Sequence, residues 1–179
     1  SVSLYRIGSL DHSFPPVRII RMAYLFLLVG LFAQEEGEIV EWVDQLGADY
    51  QEERVEASEN LQKAGKKAEP HLIEGLEHGD YRVRGSCIRI LTLLKSEAAL
   101  RPIGVVFQNP REDLDVKQKA FAYLISRGRS AEIILIEALD LSRKEFRLGA
   151  LLALRKMKST KCAPRVAGLY EQEEDKEVK

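Results

Sequence analysis

Val83-Arg84-Gly85-Ser86-Cys87-Ile88-Arg89-Ile90-Leu91 is the stretch of sequence that decides the fold. An aliphatic and a basic residue are followed by a small residue, Cys87, and one turn later by Leu91. On an α-helix this small residue and this leucine lie on one face. Because a small residue lets a second helix approach closely while a leucine fills the groove beside it, the stretch predicts a helix that packs against other helices.

The same pattern recurs in frame. Its basic, small and leucine positions are filled by Arg54, Ala57 and Leu61, by Arg84, Cys87 and Leu91, by Lys117, Ala120 and Leu124, and by Arg147, Ala150 and Leu154. Successive small residues are 30, 33 and 30 positions apart. The residue before the basic one is apolar in the last three copies but is Glu53 in the first, as is typical of a terminal repeat.

A second apolar segment precedes or follows each copy, at residues 70–76, 102–107, 133–139 and 164–169. Helices of about a dozen residues at a period of about 30 cannot each bury an apolar face alone, so they must stack in pairs. Apolar residues recur at helical spacing, without the alternation typical of strands. We therefore expect an all-α fold, an α-solenoid of about four stacked antiparallel helix pairs.

The sequence also predicts two features at the start of each second helix, a capping residue and a partner for the basic residue. Four polar residues precede these helices and are expected to be N-caps: Asp49, Asp80, Asp113 and Ser142. The basic residue of the pattern lies in the first turn, where the helix dipole disfavours a cation. We therefore expect a carboxylate or a loop carbonyl to compensate it.

The pattern from Val83 to Leu91, echoed from Val116 to Leu124, resembles the HEAT-repeat superfamily. It is most similar to the short bacterial HEAT-like repeats that also occur in phycobilisome lyase-type proteins. The resemblance covers about residues 38–170 and implies a right-handed α-solenoid whose second helices line a concave surface that binds other proteins. The sequence departs from the family at Glu53 and in a last hairpin that lacks its second helix.

The N-terminal region differs from the repeats. Residues 22–33 carry no charge, follow Arg18 and Arg21, and precede the acidic residues Glu35 and Glu36. This pattern is typical of a secretory signal peptide cleaved after Ala33. The alternative is a buried N-terminal helix. We expect residues 1–37 to be a disordered leader containing this segment, residues 38–170 a repeat domain, and residues 171–179 an acidic tail. The protein is then periplasmic, on the cell surface or secreted, or cytoplasmic if the segment is not a signal.

Composition excludes several classes of protein. Lys and Arg number 27 and Asp and Glu 28, so no overall charge indicates a nucleic-acid or membrane partner, and a membrane contact is expected only through residues 22–33. The two cysteines are too few for a disulfide framework or a zinc site. Cys87 is expected to be a buried packing thiol, beyond disulfide reach of Cys162.

No catalytic constellation is evident. His71 and His78 are seven positions apart on one predicted helix, but no third ligand stands at a supporting spacing, so we expect no metal site. No nucleophile motif or phosphate-binding loop is present. The sequence therefore predicts a chain that is not an enzyme and that binds no cofactor.

Charge is unevenly distributed along the repeats. Glu35 to Glu59 is strongly acidic, whereas Arg143 to Arg165 holds eight cations and the single acid Glu145. This basic end indicates a docking surface for an acidic protein partner or for a phosphate backbone, or alternatively a solvated exterior. We expect a non-enzymatic scaffold that binds its partner through basic residues of the second helices: Arg84, Arg89, Lys117, Lys119, Arg147 and Arg155.

Two other functions remain open at this point. One is an accessory lyase or chaperone-like role of the phycobilisome lyase type, which the resemblance alone suggests. The other is nucleic-acid binding, since some HEAT-like folds are DNA glycosylases. Nucleic acid is not the expected partner, because no aromatic residues are interleaved with the cations to stack on bases.

Overall fold

The computed structural model describes residues 36–169, and every regular element in that range is helical. By its internal contacts the chain divides into two compact units, and the second begins at Ile39. The predicted signal segment at residues 22–33 and the predicted acidic tail at residues 171–179 lie outside the described residues. None of the described helices is long and apolar enough to cross a membrane.

Shorter first helices alternate with longer second helices. The first helices are α1 (residues 36–45), α3 (Glu69–Glu74), α5 (Leu100–Gln108) and α7 (Glu132–Glu137). The second helices are α2 (Gln51–Ala64), α4 (Tyr81–Leu93), α6 (Leu114–Arg127) and α8 (Lys144–Lys156). A further helix, α9, covers residues 163–169.

The helices stack as hairpins. We number them hairpin 1 (α1 and α2), hairpin 2 (α3 and α4), hairpin 3 (α5 and α6) and hairpin 4 (α7 and α8). The two helices of hairpins 2, 3 and 4 pack against each other, and each second helix also packs against the next, α2 on α4, α4 on α6 and α6 on α8. The predicted all-α solenoid of stacked helix pairs is confirmed.

The residues of the repeated pattern form the core. All four small residues are fully buried, as are the leucines that follow them: Ala57, Cys87, Ala120 and Ala150, and Leu61, Leu91, Leu124 and Leu154. Burying one leucine contributes about 2 kcal/mol, so each of these positions stabilises the stack substantially. The turn that follows α3 lies very close to α4 in this core. A Cβ at Gly75 would lie 2.7 Å from the Sγ of Cys87, which confirms Cys87 as a packing thiol.

Two first helices are shorter than predicted. Helices α3 and α7 have 6 residues each rather than about a dozen, because a 3-10 turn precedes and follows each of them. The preceding turns are Gly65–Lys67 and Gly128–Ala131, and the following ones are Gly75–Glu77 and Ala138–Asp140.

The ends of the second helices reveal a longer repeat. The eighth residue after the small residue has a positive φ in all four copies, but it is glycine in hairpins 1 and 3 (Gly65, Gly128) and lysine in hairpins 2 and 4 (Lys95, Lys158). In both lysine copies the next amide, of Ser96 or Ser159, donates to the carbonyl of the pattern leucine at 3.0 Å. Hairpins 1 and 2 therefore correspond, as a pair, to hairpins 3 and 4.

Two of the four predicted N-caps are confirmed. Asp80 accepts a hydrogen bond from the Arg82 amide, and Asp113 accepts one from the Asp115 amide, each at 2.8 Å. The predictions of Asp49 and Ser142 are wrong. Helices α2 and α8 begin one residue later, with Tyr50 and Arg143 as N-caps, and neither side chain accepts a bond from the first turn.

Candidate binding surfaces

The basic residue of the repeated pattern ties the second helix to its own inter-helix turn. Nη1 of Arg54 donates to the carbonyls of Ala48 and Asp49, at 2.6 and 2.8 Å. Nη1 of Arg147 donates to those of Leu141 and Ser142, at 2.9 and 2.8 Å. The predicted compensation by loop carbonyls is confirmed, and we call this side of the stack the turn edge.

Arg84 makes the same contacts and adds an ion pair. Its Nη1 donates to the carbonyls of His78 and Gly79, at 2.6 and 2.9 Å. Its Nε and Nη2 donate to the carboxylate of Glu112, which belongs to the turn of hairpin 3, at distances from 2.6 to 3.2 Å. The Glu112 side chain is only 4% exposed. Arg84 thus joins two hairpins through a nearly buried ion pair.

Lys117 departs from the other three copies. It is only 8% exposed. Burial and the positive charge of Arg143 lower its pKa, against a smaller opposite effect of Glu112. Within residues 36–169 we find no hydrogen bond or ion pair of its amine. A lysine therefore occupies the position of a bracing arginine without replacing its contacts.

Each second helix has an exposed side away from its buried small and leucine residues, and we call the surface that these sides form the second-helix face. It consists of the residues two before, two after and five or six after each small residue. On α8 these are Leu148, Leu152 and Arg155, and the two leucines are 53% and 48% exposed. Further exposed apolar residues on this face are Ile125, Leu93 and Val55. The repeated pattern does not predict these exposed apolar residues directly. They can be found in the sequence as the apolar residues of each second helix that do not occupy core positions.

Three of the six predicted binding residues lie on or beside this face. Arg89 is exposed and its Nη2 donates to Ser58 Oγ at 2.9 Å. Lys119 pairs with Asp115 and lies over Gly85. Arg155 is exposed, and we find no partner for it in the described part of the chain. The structure thus separates these three cations from Arg84, Lys117 and Arg147 at the turn edge.

Some of the cations near the basic end are paired. Nζ of Lys161 lies 2.9 Å from the Glu132 carboxylate, and this contact is the main reason why the pKa of Glu132 is lowered. Arg165 pairs with Asp140. Within residues 36–169 no ion pair is found for the other six: Arg143, Lys144, Arg147, Arg155, Lys156 and Lys158.

Two of the clefts in the described part of the chain border the turn that follows α3. One, of about 660 Å³, lies between the turns of hairpins 2 and 3 and is lined by His78, Arg84 and Arg111, among other residues. A smaller one of about 270 Å³ lies between α1 and α3 and holds His71 and His78. Both are open to solvent and of mixed polarity.

The two histidines differ in their contacts. Nδ1 of His78 accepts a hydrogen bond from the Asp80 amide at 3.0 Å, and its Nε2 is 3.8 Å from Asp44 Oδ1. Nδ1 of His71 is buried and has no hydrogen-bond partner among residues 36–169, and Glu74 Oε2 lies 3.6 Å from it. No group of three or more His, Cys, Asp or Glu side chains within residues 36–169 is arranged to hold a metal ion.

The two thiols differ in reactivity. Burial raises the pKa of Cys87 to about 12, so this thiol is not nucleophilic near neutral pH. Cys162 is partly exposed, and its Sγ lies 3.4 Å from the Ser159 carbonyl oxygen. Both thiols are free.

Comparison with known proteins supports the fold. No family model and no curated protein matches the sequence. A solved structure of human deoxyhypusine hydroxylase in complex with glycerol is similar, with a TM-score of 0.54 and 22% identity over 67% of this chain. The match spans 43% of that protein. At this identity the likeness concerns the fold alone, which is the HEAT-like all-helical type.

This comparison contradicts one prediction. We expected from the sequence that the chain is not an enzyme, yet the solved structure that it resembles is one. The physical reason is that a stack of helical hairpins is held together by its core, while catalysis depends on residues grafted on its surface. A HEAT-like fold therefore does not exclude an enzyme, and the absence of a motif known from other folds was insufficient evidence.

Proposed function

We propose that this chain binds a segment of another protein on its second-helix face, with α8 at the centre of the contact. The observation that carries the proposal is the exposure of Leu148 and Leu152, one turn apart, on a helix whose core positions are already filled by other residues. Single exposed leucines are ordinary on protein surfaces. Two that lie one turn apart on the same face of α8 make an apolar strip that a partner can cover, and Ile125 is a further exposed apolar residue on the neighbouring second helix α6.

The charges around the strip favour an acidic partner. Arg155 follows Leu152 on the same face and has no partner within residues 36–169, and Lys156 and Lys158 continue the positive charge. Unpaired cations beside an apolar strip attract a carboxylate-bearing segment and exclude a basic one. An exposed arginine is also a frequent energetic centre of protein interfaces.

Arg84 and Arg147 are left out of this proposal. Both guanidinium groups already donate to the carbonyls of their own turns, and Arg84 also holds Glu112. Lys117 is left out because it is nearly buried. Arg89 and Lys119 remain in it as the cations on the neighbouring second helices.

The test is a comparison of partner capture by matched variants of the full chain. Leu152→Asp places a charge in the strip, and Arg155→Glu reverses its neighbouring cation. Ile133→Asp is the control, because Ile133 is 64% exposed on the first helix α7. We expect a partner captured by the unmodified chain to be retained by Ile133→Asp and to bind at least 10-fold more weakly to both other variants, which corresponds to about 1.4 kcal/mol.

A partner that binds all three variants equally would place the contact elsewhere and refute the proposal. Salt provides a second criterion. Because Arg155 is exposed, its contribution to binding should be screened as the ionic strength rises from 0.05 to 0.5 M, which are chosen test conditions spanning Debye lengths of roughly 14 to 4 Å. The affinity of the unmodified chain and the control should fall with salt in parallel, whereas that of Arg155→Glu should fall less.

We further propose that the protein is exported. Support comes from the uncharged residues 22–33 behind Arg18 and Arg21, all outside the described residues. Mass determination of the N-terminus of the protein isolated from its native cell tests this directly. A mature chain beginning at Gln34 is expected, and a chain that retains residues 22–33 would contradict export.

A further inference from the structure

Neighbouring second helices meet through the same positions of the repeated pattern each time. Three close approaches join a residue of the later helix to one of the earlier helix: Arg89 to Ser58, Lys119 to Gly85, and Gly149 to Phe121. The residue of the later helix stands one before or two after its small residue, and that of the earlier helix stands two before or one after. A second helix therefore has a rear side, which faces the preceding second helix, and a front side, which faces the following one.

The rear side of α2 consists of acids. Glu56 stands one before the small residue and Glu59 two after it, and Glu52, one turn before Glu56, continues the same side. All three are exposed, and among the described residues no second helix precedes α2. Lys63 lies 4.0 Å from Glu59 in an exposed ion pair, which contributes little. The rear side of α2 is therefore negatively charged and accessible to a partner.

The front side of α8 is apolar in the middle and basic at both ends. Leu148 and Leu151 occupy the two front positions, and Lys144 and Arg155 lie one turn beyond them on the same side. Leu148 is 53% exposed and Leu151 is half-buried, whereas their counterparts in α4, on which α6 packs, are both buried. Neither Lys144 nor Arg155 has an ion pair among residues 36–169. No second helix covers this side in the described part of the chain.

We propose that the front side of α8 binds the rear side of α2 of a second copy of this chain. Helices α2 and α6 have 14 residues each and begin 63 positions apart, and α4 and α8 have 13 residues each with the same offset. Helix α2 of the second copy thus packs on α8 as α6 packs on α4. Its acids lie along the cations of α8, Glu52 near Lys144 and Glu59 near Arg155. This charge complementarity favours α2 as the partner and disfavours the pairing of two α8 helices.

The inference rests on the proposed function, because α8 supplies the contact in both, and it names the partner. Since the two surfaces lie at different ends of the stack, the contact is head-to-tail. Such a contact leaves one surface of each copy free, so dimers can grow into longer chains or close into rings.

Helix α9 stands in the place that α1 of the second copy would take. In the longer repeat both helices correspond to α5, the first helix of the hairpin that packs on hairpin 2. Docking therefore requires α9 to leave hairpin 4. Residues 163–167 of α9 are exposed, and Arg165 joins the helix to Asp140 by an exposed ion pair. We expect this exchange to make self-association weak and dependent on concentration.

Sedimentation velocity of the full chain at low ionic strength tests the proposal. We expect the sedimentation coefficient to rise with protein concentration and the association to weaken as salt is added. Glu52→Lys combined with Glu59→Lys should weaken self-association by about tenfold, and so should Lys144→Glu combined with Arg155→Glu. A mixture of these two double variants should associate again, because the basic rear side of one then meets the acidic front side of the other.

A control and a further variant make the assignment specific. Arg101→Glu combined with Arg111→Glu makes the same change of charge at exposed residues of hairpin 3, and this control should associate as the unmodified chain does. Arg165→Met removes the ion pair of α9, so it should strengthen self-association by about threefold. Mere attraction to a basic end would instead be weakened by the loss of this cation.

Four results would overturn the proposal. They are a chain that stays monomeric at every concentration, an association that either charge-reversed double variant retains in full, a mixture of the two that stays monomeric, and weaker association of Arg165→Met. The proposed function is tested separately. A different protein captured through Leu152 and Arg155 should still bind Glu52→Lys combined with Glu59→Lys, whose α8 is unchanged, even if the chain does not associate with itself.

Discussion

The arginines of the turn edge and the arginine at the end of the second-helix face come from the same repeats but have different roles. Arg54, Arg84 and Arg147 recur at one position and donate to carbonyls six and five residues earlier. Arg155 does not recur and has no partner among residues 36–169. The three recurring arginines are thus explained by the fold, whereas Arg155, which breaks the period, is available for binding.

Arg84→Met should break the turn edge most severely. Its loss removes two hydrogen bonds to carbonyls and leaves the Glu112 carboxylate, 4% exposed, without its cation. Leaving a nearly buried charge unpaired costs about 3 kcal/mol. Urea denaturation should show a free energy of unfolding lower by that amount. A loss below about 1 kcal/mol would mean that the ion pair contributes little beyond the two carbonyl bonds.

Arg147→Met sharpens the comparison within the turn edge, because Arg147 makes the two carbonyl contacts without an ion pair to an acid. We expect a loss of about 1.5 kcal/mol, half of the effect at Arg84, from two charge-assisted bonds that are partly exposed to solvent. The same denaturation measurement checks it. Equal losses at the two sites would assign the stabilisation to the carbonyl contacts alone.

Lys117→Arg gives the third copy of the pattern the arginine that the other three copies have. A guanidinium group at this position should reach the carbonyls of Arg111 and Glu112, which lie six and five residues earlier as in the other three copies. We expect the free energy of unfolding to rise by about 1 kcal/mol. A decrease would show that the pocket around Lys117 is too small for the planar fork.

The pH dependence of stability offers a smaller effect at the same residue. The pKa of Lys117 is lowered from its ordinary 10.5 in the folded protein, mainly by burial. Between the lowered pKa and 10.5 the unfolded chain binds more protons at Lys117, so the contribution of this residue to stability should rise with pH across this window. The raised pKa of Cys87 acts in the opposite direction, so the rise is measured as a difference. The free energy of unfolding of the unmodified chain, relative to that of Lys117→Met, which has no amine, should increase as the pH approaches 10.5.

Much of the fold could be predicted from the sequence because the core obeys a strict local period. Cys87 and Leu91 are decided by packing, and packing depends on residue size and spacing, which the sequence displays directly. The N-caps were harder to predict. Asp80 and Asp113 are helix caps, but Asp49 is not, because the chain stays extended through Tyr50, which is the N-cap, and the helix begins at Gln51.

The candidate surfaces could be predicted only in part. That a loop carbonyl would compensate the basic residue followed from the helix dipole. Which cations remain available did not, because the pairing of Arg84 with Glu112 joins residues 28 positions apart. The burial of Lys117 likewise depends on how α6 and α8 pack. The contrast between a capped α4 and an uncapped α8 became visible only when hairpins 2 and 4 were found to correspond.

Arg155→Ala should have the smallest effect on stability and the clearest effect on binding. The side chain is exposed and donates to no group in the described part of the chain, so the free energy of unfolding should change by less than about 0.5 kcal/mol. If the second-helix face binds an acidic segment, however, the affinity for that segment should fall by about tenfold. Arg147→Met should show the reverse, a clear loss of stability with little change in affinity once the chain is folded. This double contrast separates the arginines of the two surfaces, because a general loss of positive charge would weaken binding in both variants equally.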